Sequence, residues 1–100
     1  MRLVWAQYAL DDREQIFSYI EAKTKGCAVH IDVAIESAAR RLIEFPESGR
    51  MVRVAGTREL VVPRTSYIAA YVILPDRIRI LRILHGAQVW PDEITGDKEK

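Results

Sequence analysis

Hydrophobic side chains in the first half of the chain recur every three or four residues, after a short apolar run at positions 3–5. This spacing places them on one side of an α-helix, so it predicts a strand followed by two helices, over 8–25 and 27–44. Gly26 and the Phe45-Pro46 pair end these segments, because glycine and proline interrupt helices. The short link at 24–26 favours an antiparallel helical hairpin. The two stripes are Ala9, Ile16, Ile20 and Ile31, Ile35, Ala38, Leu42.

The second half of the chain changes to the alternation and the continuous apolar runs of strands. Residues 58–62 combine polar with apolar side chains and are read as a strand, and 67–74 form an uninterrupted apolar run suited to a central strand. A proline turn at 74–77 precedes another buried strand at 78–85. Residues 51–54 are a candidate for a further short strand.

These segments predict the order β-α-α-β-β-β. We therefore expect an α+β fold, with a mainly antiparallel sheet and an N-terminal α-helical hairpin packed on one of its faces. Residues 1–91 are assigned to one domain. Residues 92–100 are polar and acidic, and we predict a flexible C-terminal tail there.

Composition limits what this domain contains. One hundred residues, 49% of them hydrophobic, suffice for one domain with one core. No apolar run approaches the roughly 20 residues that cross a bilayer, and no signal-peptide layout is present, so we expect a cytoplasmic protein without a membrane partner. The single cysteine, Cys27, cannot form an internal disulfide, which suits a reducing compartment. Two scattered histidines and one cysteine make no metal site, and no glycine-rich phosphate loop occurs, so we expect neither metal nor cofactor.

The formal net charge of +1 conceals an uneven distribution. Residues 48–91 contain seven arginines against two acidic residues, whereas 1–47 and 92–100 each have two more acids than bases. Guanidinium groups bind carboxylates and phosphates through paired hydrogen bonds and tolerate partial burial, so these strands suit an acidic macromolecular partner. A set of solvated strand faces is the alternative. The seven are Arg50, Arg53, Arg58, Arg64, Arg77, Arg79 and Arg82.

Six segments follow one another along the chain: the strand with Trp5, ALDDREQIFSYI at 9–20, FPESGR at 45–50, GTREL at 56–60, YIAAYVI at 67–73 and RILHGAQVWP at 82–91. Together they resemble the RelE/ParE superfamily of toxins from type II toxin–antitoxin systems, and the likeness covers residues 3–91. Helix patterns and Phe-Pro turns are common in proteins. GTREL followed at this distance by a strand, a tight turn and RILHGAQVWP is much more specific.

The resemblance implies a partner and a target. Such toxins are neutralised by a cognate antitoxin whose C-terminal segment wraps them, in a toxin–antitoxin hetero-oligomer. ParE-like members poison DNA gyrase without chemistry of their own, whereas RelE-like members cut messenger RNA on the ribosome. Our leading hypothesis is a ParE-like gyrase inhibitor. The alternatives are a RelE-like, ribosome-dependent mRNA endoribonuclease and a non-toxic module that only binds the antitoxin.

A ribonuclease needs a base for the 2′-hydroxyl, cations for the phosphate and an acid for the leaving 5′-oxygen. The residues available for these roles are Glu59 as base, His85 as acid, and Arg58 and Arg82 for the phosphate. RNA-cutting relatives usually place an arginine near the start of the long central strand, where this chain has Tyr67. This departure favours a protein without catalytic residues.

Side-chain parity within the last strand also bears on catalysis. In an unbulged strand, Arg82 shares a face with Ile78, Ile80 and Leu84. His85 then lies on the other face with Leu81 and Ile83, which separates the acid from its phosphate-binding partner unless a bulge intervenes. The simpler role for His85 is a strand-end imidazole bonded to the backbone.

Aromatic and arginine side chains often dominate binding energy at interfaces. Trp90, beside Pro91, is therefore a candidate anchor for antitoxin or target, with packing against the domain as the alternative. Gln88 is suited either to such an interface or to capping a turn. The full set of predicted contact residues is Arg50, Arg53, Arg58, Arg64, Tyr67, Gln88 and Trp90.

Overall fold

The computed structural model describes residues 1–52 and 56–86. Within these residues it contains two α-helices, one short 3-10 helix at Pro46–Ser48 and five strands. In chain order they are β1 (Arg2–Trp5), α1 (Gln7–Lys23), α2 (Ala28–Arg41), β2 (Arg50–Met51), β3 (Arg58–Val61), β4 (Tyr67–Ile73) and β5 (Arg77–His85). The predicted α+β fold is confirmed. The strand β2 overlaps the short strand expected over 51–54 only at Met51, Val52 is not in a strand, and residues 53–54 lie outside the described residues.

The second helix is shorter than its apolar pattern predicts. It ends at Arg41, and residues 42–44 form turns. There the backbone changes to the tighter i→i−3 hydrogen bonds, from Leu42 N–H to Ala39 O (3.0 Å) and from Ile43 N–H to Arg40 O (3.1 Å). The helix ends early because Phe45, which precedes Pro46, has a non-helical backbone conformation, with φ −130° and ψ 69°.

All five strands belong to one sheet, in the order β1-β5-β4-β3-β2. Only β1, at one edge, runs parallel to its neighbour; it pairs Arg2 with Arg77 and Trp5 with Ile80. The other pairs are antiparallel, as predicted for most of the sheet. The first and the last described strands are therefore neighbours, which joins the two ends of the domain.

Both helices pack on the same face of the sheet, and the apolar stripes predicted for them form the core. Helix α1 lies mainly on β5 and helix α2 on β4. The stripe residues Ala9, Ile35 and Leu42 are fully buried. They pack against the helix-facing residues of the sheet, among them Ala69, Tyr71, Ile78, Ile80 and Ile83.

A bulge in β5 changes which residues face the helices. Ala70 pairs with Arg82 and Tyr71 pairs with Ile80, so Leu81 has no partner in β4. Because of this extra residue, Ile83 joins Ile80 in the core, whereas Arg82 does not. The side-chain parity described for an unbulged strand, with Arg82 on the face of Ile78 and Ile80, therefore does not apply. Arg82 and His85 remain on opposite faces, because the bulge precedes both of them.

The FPESGR segment is held against the sheet by Tyr71. The phenol donates to Pro46 O at 2.7 Å and accepts from Gly49 N–H at 2.9 Å. Burial raises the pKa of Tyr71, partly opposed by the Gly49 hydrogen bond, so the hydroxyl keeps the proton that it donates. Arg58 adds a hydrogen bond from Nη1 to Gly49 O at 2.7 Å.

Tyr71→Phe removes this hydroxyl and leaves the Gly49 N–H, which is buried, without its acceptor. We expect the free energy of unfolding to fall by about 1–3 kcal/mol, the cost of an unsatisfied buried polar group. Urea denaturation measures the loss. Tyr19→Phe is the matched control: Tyr19 is exposed, and its substitution should change stability by less than about 0.5 kcal/mol. Equal stabilities of the two variants would contradict this role for Tyr71.

Candidate partner-binding site

Three of the arginines singled out in the sequence, Arg50, Arg58 and Arg82, form side-chain bonds within the domain. Arg50 binds Glu59 across β2 and β3, with Nε 2.5 Å from a carboxylate oxygen. The Glu59 side chain is only 6% exposed, whereas that of Arg50 is 78% exposed. Arg50 therefore neutralises a buried carboxylate and still presents most of its surface to solvent.

Arg58 is bonded to the segment that precedes β2, and Arg82 is bonded to α1. Arg58 donates to the carbonyls of Gly49 and Glu47. Arg82 binds Asp12 of α1 through two hydrogen bonds, at 2.7 and 3.0 Å. The Asp12 hydrogen bond raises the pKa of Arg82 although burial opposes it. Both guanidinium groups thus stabilise the fold in the unliganded domain.

Tyr67 and His85 form an aromatic pair at the ends of β4 and β5. They are direct cross-strand partners, with ring centroids 5.5 Å apart and planes at 83°, an edge-to-face contact. His85 is exposed. Burial, with a smaller contribution from the nearby Tyr19, raises the pKa of Tyr67, so its phenol is a poor base at neutral pH.

The sheet register separates Glu59 from His85. Glu59 pairs with Ala70, whose neighbours Ala69 and Tyr71 face the helices, so Glu59 lies on the opposite face. His85 pairs with Tyr67, on the helix side. Ala70 and Tyr67 are also about 10 Å apart along β4. The proposed base and acid therefore do not share a cleft.

A groove that the sequence did not reveal runs between α2 and the β3–β4 hairpin. Its wider part has a volume of about 410 Å³, which is within the usual range of binding sites. Its narrower part continues to Phe45, whose side chain is 56% exposed. Together the two parts are lined by His30, Ile31, Ala34, Ser37, Ala38, Arg41, Phe45, Ser48, Leu60, Val61, Pro63, Arg64 and Thr65.

Arg64, at the rim of this groove, has an unfavourable backbone conformation. It occupies the third position of a turn that Thr65 N–H closes by donating to Val62 O at 3.3 Å. Pro63 precedes it, and its φ is 65°, the pattern of a type II turn. Glycine or asparagine is preferred there, and a side chain like that of arginine costs about 1 kcal/mol. Among the residues described, Arg64 is the only one other than glycine with a positive φ.

Some residues of the groove were absent from the sequence prediction, while some predicted contact residues lie outside the described residues. His30, Arg41 and Phe45 line the groove, and no sequence pattern had marked them as contact residues. Arg53, Gln88 and Trp90 fall within 53–55 and 87–100, which the structure does not describe. Over residues 1–52 and 56–86, no cluster of potential metal ligands occurs, and no helix is long and apolar enough to span a membrane.

Comparisons with known proteins agree with this fold and assign the chain to a family. The model of the ParE toxin of type II toxin–antitoxin systems, parDE, matches residues 3–90. The chain is 38% identical over 90 residues to a toxin designated Y4kP from Sinorhizobium fredii, covering 90% of this chain and 93% of that protein. It is 34% identical over 88 residues to toxin RelE2 from Caulobacter vibrioides, covering 88% and 98%.

A solved structure from a toxin–antitoxin system has the same fold as this chain. A chain described as the chromosomal ParDE TA system from P. aeruginosa superimposes with a TM-score of 0.78 at 25% identity, covering 85% of this chain and 95% of that one. The predicted RelE/ParE membership is confirmed. The protein belongs to the ParE toxin family of type II toxin–antitoxin systems.

Proposed function

We propose that the protein is a cytoplasmic toxin that inhibits DNA gyrase by binding rather than by catalysis. A cognate antitoxin neutralises it in a toxin–antitoxin hetero-oligomer. The ParE family model and the ParDE structure support the partnership with an antitoxin. The match to the ParE family model supports gyrase as the proposed target, because ParE-like members of the superfamily poison gyrase.

One observation carries the non-catalytic part of the proposal: the four candidate nuclease residues are dispersed. Glu59 is paired with Arg50 on one face of the sheet, and His85 lies on the other. Arg58 and Arg82 are bonded to Gly49 and Asp12. Acid–base catalysis at a phosphate requires these groups within hydrogen-bond reach of one substrate.

The proposal is tested with purified toxin, freed of antitoxin, in two reactions. The first contains gyrase with supercoiled plasmid, and the second contains translating ribosomes. We expect cleaved gyrase–DNA complexes to accumulate, and His85→Ala to keep this activity within about twofold, whereas loss of a general acid costs roughly 10²–10⁴-fold. Thermal unfolding of His85→Ala and of the exposed control Asp76→Ala shows whether both variants are folded.

The other two functions predict different outcomes. Message shortened in the ribosomal A site, and its loss in His85→Ala, would establish the RelE-like endoribonuclease instead. The exposed imidazole beside Tyr67 is the feature that such a result would implicate. Inactivity in both reactions, with antitoxin binding retained, would leave the non-toxic antitoxin-binding module.

A further inference from the structure

We infer that the toxin associates with a second copy of itself through the outer side of its helical hairpin, which is turned away from the sheet. The surface consists of Phe17 of α1 and of Val29 and Val33 of α2, and these three residues form the outer patch. Each outer patch packs against the same patch of the second copy. This association involves neither gyrase nor the antitoxin, so it is independent of the proposed function.

Helix α2 has apolar side chains on two of its sides. Its core stripe, from Ile31 to Leu42, packs on the sheet. At 3.6 residues per turn, Val33 lies on the opposite side of the helix. Val29 and Val33 are each more than half exposed. A helix that packs on one layer normally has polar residues on its opposite side, so the two exposed valines indicate a second contact surface.

An ion pair between the helices places Phe17 beside the two valines. Arg13 donates hydrogen bonds to Asp32 at 2.8 and 3.0 Å, and its Nη2 is 3.5 Å from Glu36. Because the helices are antiparallel, Phe17, one turn after Arg13, is level with the turn of α2 between Val29 and Val33. More than a third of Phe17 is exposed. Adjacent exposed apolar side chains of this kind mark interaction sites.

The groups beneath the outer patch hold it in place. The side chain of Arg13 is only 17% exposed, and its guanidinium carbon lies 4.6 Å from the centre of the Trp5 ring. Arg13 therefore joins β1, α1 and α2 through a cation–π contact and an ion pair. The two helices keep their relative position in the free protein, so association does not have to order the surface first.

A second copy fits this surface because the patch is complementary to itself. If a twofold axis runs parallel to the helices, α1 of each copy faces α2 of the other. Phe17 of each copy then lies between Val29 and Val33 of the other, since the three residues are level along the hairpin. The same contact is made twice, as an interface between identical copies requires.

The charges around the outer patch also suit a second copy. Arg40 of α2 and Glu14 of α1 are both exposed at its border. The same twofold axis brings Arg40 of each copy to the N-terminal half of the partner's α1, which contains Asp11 and Glu14. The formal net charge of the chain is only +1, so two copies repel each other weakly. A border with both signs of charge does not select a strongly acidic or strongly basic partner.

The size of the outer patch limits the affinity. Three apolar side chains from each copy form the centre of a small interface, in the class that buries less than about 1,200 Å². We therefore expect a dissociation constant on the order of 10–500 µM, with monomers in dilute solution and dimers in concentrated solution.

Sedimentation equilibrium of the full-length toxin, freed of antitoxin, measures this constant. We expect Val33→Asp to weaken dimerisation at least about 10-fold, because the dimer would bury two carboxylates without partners. Val61→Asp is the matched control: Val61 is 60% exposed and lies on β3, outside the patch, so its substitution should change the constant by less than about twofold. Thermal unfolding shows that both variants are folded.

A mixture of two variants tests the twofold arrangement. Phe17→Glu and Val33→Lys should each be monomeric, because each places two charges against apolar side chains. In an equimolar mixture, one half of the interface pairs the new carboxylate with the new ammonium, while the other half keeps the wild-type contact. We expect the mixture to form a heterodimer with at least about 10-fold higher affinity than either variant has for itself.

Three results would overturn the inference. The first is a wild type that stays monomeric throughout the expected concentration range, and the second is a dimer that Val33→Asp leaves unchanged. The third is a mixture that associates no better than its components. If Val33→Asp loses gyrase poisoning while the wild type is monomeric, the outer patch contacts gyrase instead. The sedimentation experiments contain neither gyrase nor antitoxin, so their failure leaves the proposed function intact.

Discussion

Asp12→Ala should lower the free energy of unfolding by about 2–4 kcal/mol. Its carboxylate accepts two hydrogen bonds from Arg82 and a third, at 2.9 Å, from the Ile83 N–H. The side chains of Asp12 and Arg82 are only 14% and 30% exposed. Removing the carboxylate leaves a half-buried guanidinium without its partner and a backbone N–H at the end of β5 without its acceptor.

Urea denaturation measures this loss, and two variants define its origin. Asp76→Ala also removes an aspartate that pairs with arginine, but that side chain is 63% exposed, so we expect a change of less than about 1 kcal/mol. Asp12→Asn keeps an acceptor for Ile83 N–H, so its loss of stability should lie between the losses of Asp12→Ala and Asp76→Ala. A loss in Asp12→Ala no larger than that in Asp76→Ala would show that this ion pair is dispensable.

The ion pair between Asp12 and Arg82 also affects how the toxicity of Arg82 variants should be interpreted. Arg82→Ala removes the other partner, and we expect a stability loss comparable to that of Asp12→Ala. If Arg82 acted on phosphate, its variants would lose activity while Asp12 variants kept it. Parallel loss of stability and toxicity in both series would instead identify a fold-stabilising contact between α1 and β5.

Gly49→Ala should cost about 2–4 kcal/mol of stability, although it adds only one methyl group. A Cβ on Gly49 would lie 2.6 Å from the Tyr71 hydroxyl, 2.7 Å from its ring carbon and 2.8 Å from the backbone oxygen of Glu59. Real side chains do not approach so closely, so the turn must move away from β3 and β4. That movement breaks both hydrogen bonds of Tyr71.

Ser48→Ala is the matched control for this prediction, because Ser48 is the exposed neighbour in the same turn. It should change stability by less than about 0.5 kcal/mol. Introducing Gly49→Ala into Tyr71→Phe should cost less than in the wild type, because the nearest clashing atom is gone. Strict additivity of the two changes would contradict the proposed clash.

Much of the fold could be predicted because its elements are encoded by local patterns. The stripe from Ile31 to Leu42 predicted α2, and the unbroken apolar run at 67–74 predicted the central strand β4. The sequence-based predictions fail where contacts between residues that are distant in the chain decide the structure. Asp12 of α1, for example, binds Arg82 of β5, which is seventy residues away along the chain.

The candidate site was less predictable than the fold. Arginine-rich strands indicated a basic surface, but whether each guanidinium faces solvent or a carboxylate depends on register. Pairing of the two-residue strand β2 with β3 places Arg50 opposite Glu59. The unpaired residue Leu81 places Arg82 on the other face of the sheet from Ile80. The groove beside Arg64 combines residues from α2 and a hairpin, so no local pattern contains it.

By itself the sequence determined the kinds and order of the elements, the apolar faces of both helices and membership of the toxin family. It could do so because side-chain periodicity and short segments are local properties. Only the tertiary structure decided which charges neutralise one another, that Glu59 and His85 lie on opposite faces, and that Arg64 stands at a groove. The physical reason is that a one-residue bulge or shift reverses the direction of every side chain beyond it, and no local pattern specifies where that shift occurs.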